Sequence, residues 1–172
     1  MPTKNSENDK TGVVASLHVH STRSAGSMVD LTALTLVAQK GIQEDKRYFD
    51  RQDRAGHPRR RQVTLIEREQ ISAHADALNL PQIPPGAVRA NIETTGISLI
   101  ECIGKQLQIG EAVIRVYEAR TPCSQMDLIV KGLRELMDNS RQGVLAIVIQ
   151  SGAVRIGDKI RIMAERSRAN TL

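Results

Sequence analysis

Glycines cut the second half of this chain into apolar runs too short to be the helices of a globular core. In "ISLIECIGKQLQIGEAVIRVYEAR" the punctuation falls at Gly96, just ahead of the stretch, and at Gly104 and Gly110. Between these points apolar and polar residues alternate, which is the period of a half-buried strand. Ile109-Gly110-Glu111 reads as a hairpin corner. The same texture appears in "TGVVASLHVH", in "QVTLI", and in "AVRANIETTG" as it leaves the turn "PQIPPG". The chain then closes with "GVLAIVIQSGAVRIGDKIRIM", read as two strands around Ser151-Gly152. "MVDLTALTLVAQKG" puts Val29, Leu31, Ala33, Thr35 and Val37 on one side, a pattern that also admits a short helix. Two stretches have helical spacing. "EREQISAHADALNL" places Ile71, Ala75 and Leu78 on one face; "SQMDLIVKGLRELMD" stripes Met126, Ile129, Val130, Leu133 and Met137 behind a candidate N-cap, Ser124. About seven or eight short strands and two helices, without regular strand–helix alternation, predict a mainly β fold. The expected form is a closed or nearly closed antiparallel or mixed β-barrel with a few peripheral helices.

With 172 residues the chain suits one domain. The expected limits are a polar tail over 1–10, the barrel over 11–163 and a basic tail over 164–172. The core must be aliphatic, since the sequence has no Trp, one Phe and two Tyr. That scarcity also weakens single-strand nucleic-acid binding, which uses aromatic platforms. Nothing resembles a helix-turn-helix or zinc finger either, so nucleic acid is not an expected partner. The net charge of +5 and a pI near 9.6 favour anionic partners. Two cysteines make no disulfide framework, and neither a cleavable leader nor a membrane-length apolar run is visible. A reduced, cytoplasmic protein is expected.

Several residues carry candidate chemistry. Cys123 follows Pro122 and precedes the helix expected from Ser124, a place where unpaired N–H groups favour an anion. A thiolate there is both a nucleophile and a soft metal ligand; the alternative is a small buried residue. Cys102, in an expected strand, reads as core. His18 and His20 share a strand face by their spacing, a weak metal pair, and His57 and His74 have no partner nearby in sequence. In "HPRRRQ" one or two of Arg59, Arg60 and Arg61 could fork onto a phosphate, the rest being solvated. Arg89 and Asn91 are two apart, so a strand would present a cation and an amide on one face. The charged stretch "IQEDKRYFDRQDRAGHPRRR" is a long loop, and such loops tend to be functional or mobile.

The order of "GIQEDKRYF", "RRRQVTLIEREQI", "PPGAVRANIETTGI", "GKQLQIGEAVI", "TPCSQM" and "SGAVRIGDKI" resembles the MOSC domain, named after the C-terminal part of molybdenum cofactor sulfurases. The resemblance runs from about Thr11 to about Met163 and implies a small stand-alone member with a β-barrel fold. It implies binding of the molybdenum cofactor, a pterin dithiolene with a phosphate tail. By position Cys123 corresponds to the family's late cysteine, a molybdenum ligand in members that reduce N-hydroxylated compounds and a proposed sulfur carrier elsewhere. Arg89, Asn91, Arg61 and Lys46 are the implied cofactor contacts. With no desulfurase-like domain ahead of it, pyridoxal phosphate chemistry is not implied. One position departs from the family. Where its early motif has a second glycine, this chain has Glu44, followed by Asp45 and Lys46. Glutamate would be strained if a left-handed backbone were needed there, and it adds negative charge near an anion site.

Three functions are therefore expected in order. The first is reduction of a small N-hydroxylated substrate at molybdenum held by Cys123. Its electrons would come from a donor protein, since no flavin or iron–sulfur motif is present. The second is sulfur carriage as a Cys123 persulfide. The third is non-enzymatic binding of anions or nucleic acid by the basic loop.

Overall fold

In the computed structural model, residues 10–24, 26 and 28–165 are described; the expected tails lie largely outside them. Eleven strands form: β1 (Thr11–His20), β2 (Met28–Leu31), β3 (Ala33–Val37), β4 (Gly41–Ile42), β5 (Val63–Glu67), β6 (Ile92–Thr95), β7 (Gln106–Ile109), β8 (Ala112–Ala119), β9 (Val144–Gln150), β10 (Gly152–Arg155) and β11 (Lys159–Ile162). Three helices accompany them: α1 (Arg68–Ala77), α2 (Gln125–Ile129) and α3 (Leu133–Met137). The main sheet runs β11-β7-β8-β9-β5-β6-β1-β2, and a further pairing of β11 with β1 closes seven of these strands into a mixed barrel. β5 and β6 are its parallel pair; the other ladders are antiparallel. A smaller sheet, β10-β3-β4, packs beside it. No helix among the described residues is long and apolar enough to cross a membrane.

Alternation builds the barrel. Every residue of β5 is buried, because Val63 and Leu65 point into the barrel while Ile66 faces α1 outside. The interior is aliphatic, as the composition required: Leu17, Leu34, Leu36, Leu107, Ile109 and Ile160 are almost fully buried there. A second apolar cluster lies outside the barrel, where Ile71 and Ala75 of α1 meet Ile83, Val88, Met126, Leu133 and Met137. The connection from β8 to α2 runs between these two clusters, and the site is built there.

Four expectations are corrected. The stretch 28–37 forms two strands with Leu34 and Leu36 as core, so the expected face with Val29 and Thr35 is the more exposed one. The single helix expected after Ser124 is two short ones. Val130 is extended and Gly132 adopts φ +90°, which no continuous helix tolerates, although the expected stripe still packs inward. Residues 144–162 make three strands, because β10 leaves β9 to pair with β3. Cys102 is core as expected, but in a 3-10 turn over Ile100–Cys102 rather than a strand.

Candidate functional site

Arg47, Arg61, Arg89 and Arg120 converge with His20, Tyr48 and Cys123 on one cavity of about 210 Å³, floored by Met126. The residues arrive from separate segments. His20 ends β1, Arg47 and Tyr48 follow β4, Arg61 precedes β5, Arg89 precedes β6, and Arg120 and Cys123 lie between β8 and α2.

Asp45 organises the first of these segments. Its Oδ2 accepts from the His20 backbone N–H (3.0 Å), from His20 Nδ1 (2.7 Å) and from Asn91 Nδ2 (3.2 Å). Its Oδ1 accepts from the backbone N–H groups of Arg47 (3.0 Å) and Tyr48 (2.9 Å). Burial pushes the Asp45 carboxyl up, but these His20 and Tyr48 contacts outweigh it and hold it below the usual carboxylate range. An ionised Asp45 fixes the proton of His20 on Nδ1 and leaves Nε2 for the cavity side. The His20 ring meets Tyr48 edge-on at 5.2 Å, and Arg61 stacks over Tyr48 at 4.6 Å.

Arg120 is the buried cation of the site, 7% exposed. Its backbone N–H is anchored on the Gly143 carbonyl (2.9 Å). Gly143 has φ +81°, and a Cβ on it would collide with the Leu65 carbonyl, so glycine is required where β9 begins. The Arg120 guanidinium donates to the carbonyls of Val88 (3.3 Å) and Arg89 (3.2 Å). Burial, then the nearby Arg61, push its pKa down to about 10, Cys123 pulling the other way. It is charged at neutral pH all the same. None of the four arginines lies within ion-pair distance of a carboxylate among the described residues. Arg61 also keeps a buried Nε with no hydrogen-bond partner. Like charges about 8 Å apart repel by roughly 2 kcal/mol at an effective dielectric near 20. Such a cluster suits an anion that neutralises it.

The expected site residues divide. Cys123 is exposed and lines the cavity together with Arg61 and Arg89, and it lies close enough to Arg120 to attract it. Ser124 makes no capping bond and α2 has only five residues, so the cavity's arginines, not a helix start, provide the positive surroundings of Cys123. Arg89 is not on a strand: its φ of +63° turns the chain, and its Nη1 donates to the Gly26 carbonyl (2.7 Å). Asn91 therefore does not share a face with it. The Asn91 amide points inward, donating to the His18 carbonyl (3.1 Å) and to Asp45 while accepting from Thr64. It supports Asp45 and does not line the cavity. Lys46 is exposed and does not line it either. His18 and His20 bind separate carboxylates, Asp30 and Asp45, at 2.7 Å each. No group of three His, Cys, Asp or Glu residues fit for a metal occurs among the described residues. His74 is buried, its Nε2 against the Arg141 carbonyl, and His57 is exposed beside Asp53. Glu44 is not strained. Positive φ near it falls on Gln39, Gly41 and Asp50 and not on Glu44, and both Glu44 carboxylate oxygens accept the Thr35 backbone N–H (3.1 and 2.9 Å), away from the cavity. Arg120, Arg47 and Tyr48 were not singled out by sequence. The one available sign for Arg120 was a cation three residues ahead of Cys123.

No match to a curated protein was found. Solved structures of similar fold include the YuaD protein of Bacillus subtilis, 20% identical, with a TM-score of 0.76 over 91% of this chain and 97% of that one. YiiM from Escherichia coli is 21% identical, with a TM-score of 0.61 over 92% and 70% of the two chains. YiiM from Geobacillus stearothermophilus is 14% identical, with a TM-score of 0.66 over 89% and 75%. Residues 47–161, well over half of the sequence, match the MOSC domain model. That span holds Arg61, Arg89, Arg120 and Cys123 together with five of the barrel's seven strands and most of β11, and the chain belongs to the MOSC domain family.

Proposed function

We propose that this protein binds the molybdenum cofactor and serves as the terminal, substrate-reducing component of a system acting on N-hydroxylated compounds. The observation that carries the reading is the meeting of an exposed thiol, Cys123, with Arg61, Arg89 and Arg120 in one cavity that no carboxylate among the described residues lines. The cofactor pairs a thiolate-seeking metal end with a phosphate tail, and this cavity offers one partner for each. The unpartnered Arg61 Nε and the forked guanidinium of Arg120 suit phosphate and pterin oxygens. Cys123 Sγ is a soft ligand suited to molybdenum.

When bound, the cofactor supplies two-electron chemistry, enough with two protons to convert an N–OH group to N–H and release water. The chain's own residues do the rest. The arginines bind and orient the anionic end. Asp45 holds His20 in one tautomer, so Nε2, bare in that tautomer, is placed to take up a proton at the cavity wall and, as the imidazolium paired with Asp45, to deliver it. Electrons come from a donor protein.

A second reading, sulfur carriage, is favoured by the exposure of Cys123, which leaves Sγ open to take the outer sulfur of a partner's persulfide, the partner leaving as its thiol. Elemental and intact-mass spectrometry on wild type and Cys123→Ala, made in a host with the cofactor pathway, separate the two. Molybdenum near one per chain, lost in Cys123→Ala, is the expected result. A sulfur-mass adduct removed by reductant, with no molybdenum, would replace it by the carrier function.

A further inference from the structure

Arg47 and Tyr48 have a second side. Beyond them lies another cavity, of about 380 Å³, lined by Arg23, Arg51, Gln52 and Arg59 as well as Arg47 and Tyr48. Among the described residues no carboxylate lines it. Among the described residues Arg23, Arg51 and Arg59 are, like Arg47, free of ion pairs.

The loop bearing these arginines is built, not merely basic. Arg59 N–H donates to the Arg51 carbonyl (2.8 Å) and Asp53 N–H to the His57 carbonyl (2.9 Å), with Gln52 bridged to Pro58 between them. Arg51 and Arg59 are thus held opposite one another. Their Nε groups are tied to main-chain carbonyls, Arg51 to Arg47 (2.8 Å) and Arg59 to Gln52 (3.3 Å), which fixes the stems and leaves the Nη ends to turn outward. The acids of the loop have other hydrogen-bond or ion-pair partners, although Asp53 is near enough to Arg59 to attract it without pairing. Asp53 accepts the N–H groups of Ala55 (2.8 Å) and His57 (3.0 Å), and Asp50 pairs with Lys40 (3.8 Å).

We infer that this second cavity is an anion subsite for a phosphate or diphosphate group, contiguous with the Cys123 cavity across Arg47 and Tyr48. The inference rests on the proposed function in that it extends the same ligand channel, but its own content is phosphate recognition without any metal. Arginine forks recognise phosphate oxygens in pairs, and two opposed, pre-tied arginines lose little freedom in doing so. The group can come from two sources: a nucleotide extension of the ligand held at Cys123, or an independent phosphorylated molecule.

Calorimetric titration of inorganic pyrophosphate into protein from a host without the cofactor pathway tests this, at near-physiological salt. Wild type is compared with the exposed-residue variant Arg51→Ala/Arg59→Ala and with Arg61→Ala/Arg120→Met. Two binding events are expected in wild type, one lost in each variant. The affinity at the second cavity should fall about tenfold or more in Arg51→Ala/Arg59→Ala, the scale of a charge-assisted contact. ADP binding there more tightly than pyrophosphate assigns a nucleotide, and equal binding assigns phosphate alone. Wild-type titration by Arg51→Ala/Arg59→Ala overturns the inference. Because molybdenum is absent throughout, failure of the metal reading and failure of this one give different results.

Discussion

Two buried charges in this protein have opposite surroundings. Glu93, fully buried on β6, is surrounded by partners: Arg68 Nη1 (2.7 Å), Ser16 Oγ (3.1 Å) and the Gly86 N–H (2.8 Å) all donate to it, and His18 stands 3.9 Å away. Arg120, nearly as buried, has two main-chain carbonyls and other arginines, but no carboxylate among the described residues. The first arrangement is complete in itself and holds β1, β6 and the approach to β6 together. The second, on the proposed function, is completed by an anion. Glu67 shows why the identity of the cation matters. It too is buried with an unpartnered oxygen, Oε2, but burial pushes its carboxyl up, so it can take a proton and shed its charge. An arginine held at about 10 cannot do so at neutral pH.

The comparison breaks most sharply at Arg68. Arg68→Met leaves the Glu93 carboxylate without its cation and should cost about 3–5 kcal/mol in chemical denaturation, whether or not a ligand is present. Next comes Asp45. A carboxyl held below its ordinary 3.8 adds stability above that pH, lost as pH falls through its folded-state value. Wild type should therefore weaken below about pH 4, where Asp45→Asn, starting about 2 kcal/mol lower at neutral pH, loses less from this group. Glu44→Gly installs the glycine that the family resemblance implies here and deletes the contact to Thr35. A loss of about 1 kcal/mol with unchanged molybdenum loading is expected, and a gain in loading would mean that Glu44 opposes the ligand after all. Smallest is Glu67→Gln. Because the raised carboxyl favours folding only while protonated, its contribution is lost as pH rises from 4.5 through the folded-state value. Thermal melts of Glu67→Gln should match wild type near pH 4 and exceed it by about 1 kcal/mol or less near pH 7.

Much of the barrel was legible because alternation reports burial directly. β1, β5 and the β7–β8 hairpin stand where the apolar runs put them. What failed depended on single backbone angles. The break at Gly132 had only a lone glycine in a helical stripe to announce it, and the left-handed turn at Arg89 had no local pattern. The site was half legible for a related reason. Cys123 and Arg61 stand out beside Pro122 and in an arginine run, whereas Arg120 becomes notable only when folding brings it to Val88 and Arg89 and leaves it unpaired. Asn91 misled because a polar residue in an apparent strand reads equally as a grip on a ligand or as a support for Asp45.

The measurement that bears most directly on the account is molybdenum content by elemental mass spectrometry in Arg120→Met, read beside its denaturation curve. An unpaired cation waiting for an anion predicts a cofactor-free variant that loses about 1–3 kcal/mol for the two carbonyls left unpaired, partly offset by relief of arginine repulsion and so well short of Arg68→Met, but with most of its molybdenum gone. A variant that is as badly destabilised as Arg68→Met, or that keeps wild-type molybdenum, would contradict it: Arg120 would then be one more structural charge.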